Sequence, residues 1–120
     1  MNSLILILLP ALIQVESGGN PDAIGDNGKA YGVLQIWDIC VQDVNRVYKT
    51  KYTHEMMFSA RHSKNLAIHY LMHWGKKYKE KTGKEPTKEV LARIWNAGPI
   101  GYKKKSSLIY WLKVRKELYK

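Results

Sequence analysis

The chain has 120 residues, of which 45% are hydrophobic and 25% are charged. This length and composition suit one globular domain with a single hydrophobic core and are too small for two such domains. The single cysteine, Cys40, excludes an internal disulfide framework and a cysteine-rich zinc site. Twenty Lys and Arg against ten Asp and Glu give a formal net charge of +10. This charge favours a polyanionic partner such as nucleic acid, an acidic membrane surface or a bacterial cell wall.

The most apolar stretch of the chain covers residues 4–9. A secretory signal peptide would need a basic region before this stretch and a small-residue cleavage site after it, yet no Lys or Arg precedes Lys29. The stretch is also too short to span a bilayer. We therefore favour a buried first helix over an export signal, and we place Pro10 in the first turn of the helix that runs to Glu16.

The middle of the chain changes character twice. Residues 17–28 are rich in Gly, Asn, Asp and Pro, which predicts a long surface loop. From Val33 to Val47 the apolar residues return, mostly three or four positions apart. This spacing predicts a second helix that ends near the cluster at residues 49–51.

Three more helices follow, and together they set the predicted fold class. A third helix is predicted from about residue 59 to about residue 81, and Thr87 is positioned to cap a fourth helix that residues 96–99 terminate. The last helix is predicted to carry its apolar residues on one stripe: Leu108, Trp111, Leu112, Leu118 and Tyr119. Because no repeat or alternating strand pattern interrupts the series, we predict one compact all-α domain over residues 1–120.

Glu16 is an isolated carboxylate at the end of an otherwise apolar helix. A carboxyl group that is partly withdrawn from water keeps its proton to higher pH and can donate it near neutral pH. A solvated glutamate at a helix end is the alternative, and for a glutamate considered alone it is the commoner case. Two further segments change this balance.

Three segments carry the resemblance: E-S-G-G-N-P at residues 16–21, A-Y-G-V-L-Q-I at residues 30–36 and I-W-N-A-G-P at residues 94–99. In order and spacing they resemble the signature segments of the lytic transglycosylases and goose-type lysozymes, which read E-S, then G-L-M-Q, then A-Y-N-A-G. The resemblance extends over residues 12–99. It implies a lysozyme-like fold and cleavage of the β-1,4 bond between N-acetylmuramic acid and N-acetylglucosamine in peptidoglycan.

The resemblance also implies roles for individual residues. Glu16 is expected to act first as an acid on the leaving glycosidic oxygen and then as a base on the muramoyl 6-hydroxyl, which closes a 1,6-anhydro ring. Ser17 is expected to orient Glu16 or the substrate. Gly32 and Gln35 are expected to line the cleft and bind N-acetyl sugars, and Asn96 is expected to contact the substrate.

The chain departs from the family pattern at two positions. Trp95 stands where the family has a tyrosine whose hydroxyl can bond the catalytic carboxyl, and an indole offers only an N–H donor. Either Trp95 supplies a different donor, or Tyr31 or Tyr102 takes the role, or the protein binds the wall with weak catalysis. Leu34 replaces the methionine of the family, which conserves volume.

A hydrolytic lysozyme is the first alternative, because it acts on the same bond with the help of water. It needs a second carboxylate, for which the chain offers Asp22, Asp26 and Asp38. The two carboxyl groups of an inverting glycosidase lie about 6.5–9.5 Å apart. For Asp22 and Asp26 a role in forming turns is the competing interpretation.

Metal and cofactor sites are not expected. His69 and His73 stand at the i, i+4 spacing of a zinc pair, but no convincing third ligand accompanies them. The segment beginning at His54 opens like the metalloprotease motif H-E-x-x-H, but Phe58 occupies the position of the second histidine.

A basic helical nucleic-acid-binding protein of the helix-turn-helix type is the second alternative. The lysines near residues 76–84 and 103–105 suit phosphates, but the glycine-rich loop after Glu16 has no role in groove docking. We therefore predict a monomeric lytic transglycosylase whose partner is the glycan strand of peptidoglycan. It is expected in the bacterial envelope (periplasm or wall) or outside the cell, without a membrane span, and delivered by a phage particle, a lysis system or a secretion apparatus.

Overall fold

The structure is a computed structural model that describes all 120 residues, and it confirms the predicted mainly α-helical fold class. Five α-helices follow one another in the chain: α1 (Asn2–Ser17), α2 (Asp38–Tyr48), α3 (Ala60–Thr82), α4 (Lys88–Ala97) and α5 (Ser106–Leu118). Two short antiparallel strands, β1 (Ile24–Gly25) and β2 (Ala30–Tyr31), pair between α1 and α2, with Ile24 opposite Tyr31. Short 3-10 helices occur at Asp26–Gly28, Glu55–Phe58 and Gly101–Lys103.

The chain divides into two units. One comprises Met1–Val15 and Leu71–Lys120, and the other is continuous from Glu16 to Tyr70. Fully buried apolar side chains of the first unit include Ile5, Leu8, Leu12, Leu71, Leu91, Ile94 and Val114. Those of the second unit include Ala30, Leu34, Val41, Met57, Leu66 and Ala67.

Helix α1 is longer than the sequence predicts. Pro10 lies inside the helix rather than in its first turn, so that prediction is wrong. A proline at this position removes the N–H that would bond the carbonyl of Leu6. Both residues are exposed, Leu6 by 59%, so water can bond that carbonyl. Ile5 and Leu12, on either side of Pro10 in the sequence, are fully buried and keep the helix packed.

The segment between α1 and α2 differs from both predictions made for it. The predicted loop contains regular structure, and the predicted start of the second helix is not helical. The segment forms the β1–β2 hairpin, and Tyr31 pairs again with Ile36 through two backbone hydrogen bonds of 3.0 Å. Residues 33–37, which the sequence assigns to the second helix, are therefore not helical, and α2 begins only at Asp38. Gly32 and Gln35 have φ values of +81° and +52°, which no α-helix accepts.

Helices α3 and α4 match the sequence predictions closely. Helix α3 lies within a residue of its predicted bounds at each end. The hydroxyl of Thr87 caps α4 by accepting a hydrogen bond from the N–H of Val90 at 3.2 Å. Gly98, with φ of +94°, follows the last residue of α4, as the sequence predicts.

The predicted apolar stripe of α5 is wrong in part. The face of α5 that packs inward carries Ser107, Trp111 and Val114. Leu108 and Leu112 are 42% and 45% exposed, because they lie to one side of that face. None of the five helices has the length and apolar character required to cross a membrane.

Candidate active site

Glu16 is the half-buried penultimate residue of α1. The helix ends immediately after it because the next residues include two glycines, Gly18 and Gly19, with φ of +66° and +88°. Glycine adopts this left-handed backbone at no steric cost, and it is the usual terminator of a helix. The carboxylate is therefore fixed at the carboxyl end of α1, where the chain turns into the hairpin.

The hydroxyl of Ser17 joins the first two motif segments. It donates a hydrogen bond of 2.8 Å to the carbonyl of Val33 and accepts one of 3.1 Å from the N–H of Gly19. Sixteen positions separate Ser17 from Val33, so the bond ties the end of α1 to the A-Y-G-V-L-Q-I segment. The predicted role of Ser17 in orienting Glu16 stays a prediction, and the observed bonds hold the residue that follows Glu16 in the chain.

Gly32 lies at a very close approach of two backbone segments. A Cβ atom at this position would stand 2.0 Å from the carbonyl oxygen of Met57. That carbonyl also accepts a hydrogen bond of 2.6 Å from the hydroxyl of Ser63, which is fully buried. The N–H of Gly32 donates to the carbonyl of Ala23 at 2.8 Å. Packing alone thus requires glycine at position 32. The predicted role of Gly32 in lining a sugar-binding cleft is a separate matter and stays a prediction.

Gln35 uses its side-chain amide within the same segment. Its Nε2 donates to the carbonyls of Ala23 at 3.2 Å and Gly32 at 3.0 Å, which employs both of its hydrogens. Its Oε1 occupies the space where Gly25 has no side chain, since a Cβ there would be 2.2 Å away. The predicted contact of Gln35 with N-acetyl sugars stays a prediction, and the amide group also holds the hairpin to residue 32.

Tyr31 is held in an aromatic stack that sequence reasoning missed. Its ring is parallel to that of His54, with 3.6 Å between centroids, and it also stacks on Phe58 at 4.5 Å. The Nε2 of His54 lies 2.7 Å from the carbonyl of Ile36 and must be the donor. His54 and Phe58 are the first and last positions of the H-E-x-x-H pattern, which fails at Phe58, and their aromatic character at a spacing of four is the signal that could have identified the stack.

The three candidate second carboxylates lie in or next to turns of the Glu16–Tyr70 unit. The carboxylate of Asp26 accepts a hydrogen bond of 3.0 Å from the indole of Trp37, and its backbone has φ of +50°. Asp22 lies in a turn where its N–H donates to the side chain of Asn20 at 2.9 Å. Asp38 is the first residue of α2 and is exposed. The bond from a side chain to a backbone N–H that marks such a turn is made by Asn20, whereas the carboxylate of Asp26 bonds an indole.

The third motif segment belongs to the unit that contains α4. Trp95 is half-buried in α4, and Asn96 is exposed near its end. The chain then turns through Gly98 to Gly101, where a Cβ atom would stand 2.1 Å from the carbonyl of Arg93. The ring of Tyr102 meets Tyr78 edge-on at 4.8 Å. The structure therefore brings the first two motif segments together within one unit and places the third in the other.

The histidines and the cysteine have packing environments. The ring of His69 lies 4.7 Å from that of Tyr48, and His73 meets Trp74 edge-on at 4.6 Å. No group of three or more His, Cys, Asp or Glu side chains is arranged to hold a metal ion. Burial, together with the negative charge of Asp43, raises the pKa of the Cys40 thiol to about 12. A thiol with this pKa is neutral near pH 7 and a poor nucleophile.

A family model described as the transglycosylase SLT domain matches residues 2–116. The match spans nearly the whole chain and includes all three motif segments. A search of curated proteins found no match. The family match supports peptidoglycan lytic transglycosylase activity at the level of the family, and with it a substrate in the cell wall.

Proposed function

The chain belongs to the transglycosylase SLT domain family of the lysozyme-like superfamily, and on this premise we propose that Glu16 cleaves the glycan strand as a single acid and base. The bond is the β-1,4 linkage between N-acetylmuramic acid and N-acetylglucosamine. The protonated carboxyl of Glu16 gives its proton to the leaving glycosidic oxygen as the bond to C1 breaks. The resulting carboxylate removes the proton of the muramoyl 6-hydroxyl, whose oxygen attacks C1. The product carries a 1,6-anhydro ring, no water is consumed, and Glu16 ends as it began, protonated.

The hydrogen bond from Ser17 to Val33 carries the proposal. It fixes the carboxyl end of α1 on the segment that follows β2, so that Glu16 lies between the body of α1 and a residue whose side chain is anchored to that segment. Glu16 is half-buried at this helix end.

The surrounding residues are proposed to form the substrate-binding surface. Tyr31, Gly32 and Gln35 shape the backbone next to Val33, and the half-buried side chains of Tyr31 and Gln35 are proposed to contact the N-acetyl sugars. Trp95 and Asn96 are assigned to substrate binding because residues 94–99 resemble the third family segment. No second carboxylate is required, because Glu16 itself takes the proton of the 6-hydroxyl and the 2-acetamido group of the sugar is proposed to stabilise the positive anomeric carbon.

Net charge supports the proposed substrate and suggests how the protein is retained on it. Peptidoglycan and wall polymers carry carboxylates and phosphates, and a protein with a net charge of +10 is attracted to them over long range. We propose that the protein acts as a monomer in the envelope or outside the cell, delivered by a phage particle, a lysis system or a secretion apparatus.

The decisive experiment is digestion of purified peptidoglycan followed by mass spectrometry of the soluble fragments. Anhydromuramoyl ends are lighter by one water than reducing ends, so the products separate transglycosylation from hydrolysis. We expect anhydromuramoyl products. Reducing-end products would replace the proposal with the lysozyme mechanism, and absence of release would contradict both.

Glu16→Gln tests the assigned acid. The substitution preserves size and hydrogen bonding but removes the transferable proton, so we expect turnover to fall by at least about 100-fold, as loss of general acid–base catalysis implies. Glu55→Gln, the same change at an exposed glutamate of the same unit, is the matched control and should keep the parent rate. Turnover by Glu16→Gln above about a tenth of the parent rate, too small a loss for a missing general acid, would exclude Glu16 and redirect the search to Asp26 and Asp38.

A further inference from the structure

The Glu16–Tyr70 unit contains a pocket that the proposed chemistry does not use. It is an open pocket of about 400 Å³, within the range typical of small-ligand sites. Seven residues line it: Thr50, Lys51, Tyr52, Met56, Arg61, His62 and Asn65. Two of these side chains are cationic and none is acidic, so the pocket has positive potential.

The wall of the pocket is held in place by a residue behind it. The side chain of Asn45, in α2, donates to the carbonyl of Tyr52 at 2.8 Å and accepts from the N–H of Tyr52 at 3.0 Å and from the hydroxyl of Thr50 at 2.9 Å. Residues 50–52 are therefore fixed without a ligand. A binding surface that is already ordered loses less entropy when it binds.

The hydrogen-bonding groups of the pocket are mainly donors. The guanidinium of Arg61 lies 3.3 Å from Nε2 of His62, and because a guanidinium can only donate, Nε2 must accept. In the neutral ring the proton is then on Nδ1, which is buried and has no partner. Arg61 and His62 also stand in the first turn of α3, where the helix dipole adds partial positive charge. The lining of the pocket thus supplies hydrogen-bond donors and positive charge, which suit a ligand that is a negatively charged acceptor.

We propose that this pocket binds a carboxylate of the peptide that is attached to the glycan strand, an assignment that rests on the proposed function. Arg61 suits a carboxylate because its N–H groups can bind both oxygens at once, and Lys51 adds a second positive charge. Met56 and the ring of Tyr52, which lies edge-on to His62 at 6.2 Å between centroids, offer apolar contact for the carbon atoms of an amino acid. An inorganic phosphate would leave this apolar lining uncovered, which favours an organic anion.

Direct binding tests the pocket without reference to cleavage. The probe is N-acetylmuramoyl-L-alanyl-D-isoglutamine, which has one free carboxylate, and binding is measured by calorimetry or by NMR shifts of the Glu16–Tyr70 unit. We expect Arg61→Gln and Lys51→Gln each to weaken binding by about tenfold or more, as loss of a charge-assisted hydrogen bond implies. Lys64→Gln removes an exposed cation of α3 that does not line the pocket, and it should bind as the parent does.

Three results would overturn the proposal. One is equal binding of the probe after its carboxylate is converted to an amide, and another is equal weakening by Lys64→Gln, which would indicate attraction by net charge alone. The third is displacement of the probe by inorganic phosphate at equal concentration, which would indicate a general oxyanion site.

Cleavage assays then separate this proposal from the assignment of Glu16. On strands that retain their peptides, Arg61→Gln should raise KM with kcat unchanged, and on strands stripped of peptides it should behave as the parent. An equal effect on both substrates would contradict a peptide site while leaving Glu16 untouched. If the unsubstituted protein does not cleave peptidoglycan at all, the proposed function is contradicted. The binding experiment would still decide whether the pocket binds a carboxylate.

Discussion

Replacing Gly32 by alanine should destabilise the protein far more than the same change at Gly28. Both glycines have positive φ, +81° and +88°, but a Cβ at Gly28 meets nothing within 4 Å, whereas at Gly32 it would stand 2.0 Å from the carbonyl oxygen of Met57 and 3.3 Å from the hydroxyl of Ser63. The left-handed backbone costs alanine about 1–2 kcal/mol at either site. Overpacking adds about 1–3 kcal/mol at position 32 alone.

The upper half of that range is expected because the obstacle cannot move freely. The oxygen of Met57 belongs to the backbone and accepts the 2.6 Å hydrogen bond from buried Ser63. Gly32→Ala should therefore lose about 3–5 kcal/mol, a large part of the 5–15 kcal/mol that stabilises a typical domain. Gly28→Ala should lose no more than about 2 kcal/mol.

Urea unfolding followed by circular dichroism measures both variants against the parent. Both alanines carry the same cost of a left-handed backbone, so this cost cancels when the two losses of unfolding free energy are subtracted. The difference that remains is the steric cost at position 32. If the two variants unfold within about 1 kcal/mol of each other, less than overpacking costs, the contact between Gly32 and Met57 does not restrain the chain, and the packing explanation of the motif glycine is wrong.

Three further predictions concern Cys40, Thr87 and Ser17. Because folding raises the pKa of the Cys40 thiol from 9.0 to about 12, the unfolded chain loses this proton first, and the free energy of unfolding should fall above pH 9 by up to about 1.4 kcal/mol per pH unit. Cys40→Ala should reduce that slope in urea titrations at pH 8 to 11, and an unchanged slope would refute the burial of the thiol. Thr87→Ala should cost about 1 kcal/mol through loss of the α4 cap, with Thr87→Ser close to the parent in thermal melting. Ser17→Ala should cost a similar about 1 kcal/mol but reduce turnover on peptidoglycan much more than Thr87→Ala, and equal turnover of these two variants would show that the bond to Val33 does not position Glu16.

Local sequence signals were sufficient where a segment is helical throughout. The bounds of helices α3 and α4 are predicted by their apolar spacing and by the capping residue Thr87. A helix forms its backbone hydrogen bonds within itself, so its position in the sequence depends little on distant residues. Residues 33–37 have similar apolar spacing and are not helical. Their backbone is set by the close approach of Gly32 to Met57 and by the side-chain bonds of Gln35, contacts that a periodicity does not encode.

The motif segments predict candidate site residues, but they do not predict the contacts that those residues make. The motif segments identify Glu16 and Ser17, yet only the structure reveals that the Ser17 hydroxyl reaches Val33. The pocket at Arg61 had no motif at all, because its lining comes from a loop and a helix whose relation depends on Asn45. Such a site arises from tertiary packing and leaves no pattern along the chain.

Two residues with left-handed backbone would respond in opposite ways to selection for thermal tolerance alone. Lys49 follows the last residue of α2 with φ of +58°, a position at which glycine is the usual residue. Glycine at position 49 would therefore relieve the backbone strain without removing a buried side chain. Gln35, with φ of +52°, would be relieved by glycine in the same way, but the change would also delete the two hydrogen bonds that its amide makes to the hairpin. Selection of this kind should therefore favour glycine at position 49 and keep glutamine at position 35. The strained backbone of Gln35 is retained because its side-chain amide holds the hairpin in place.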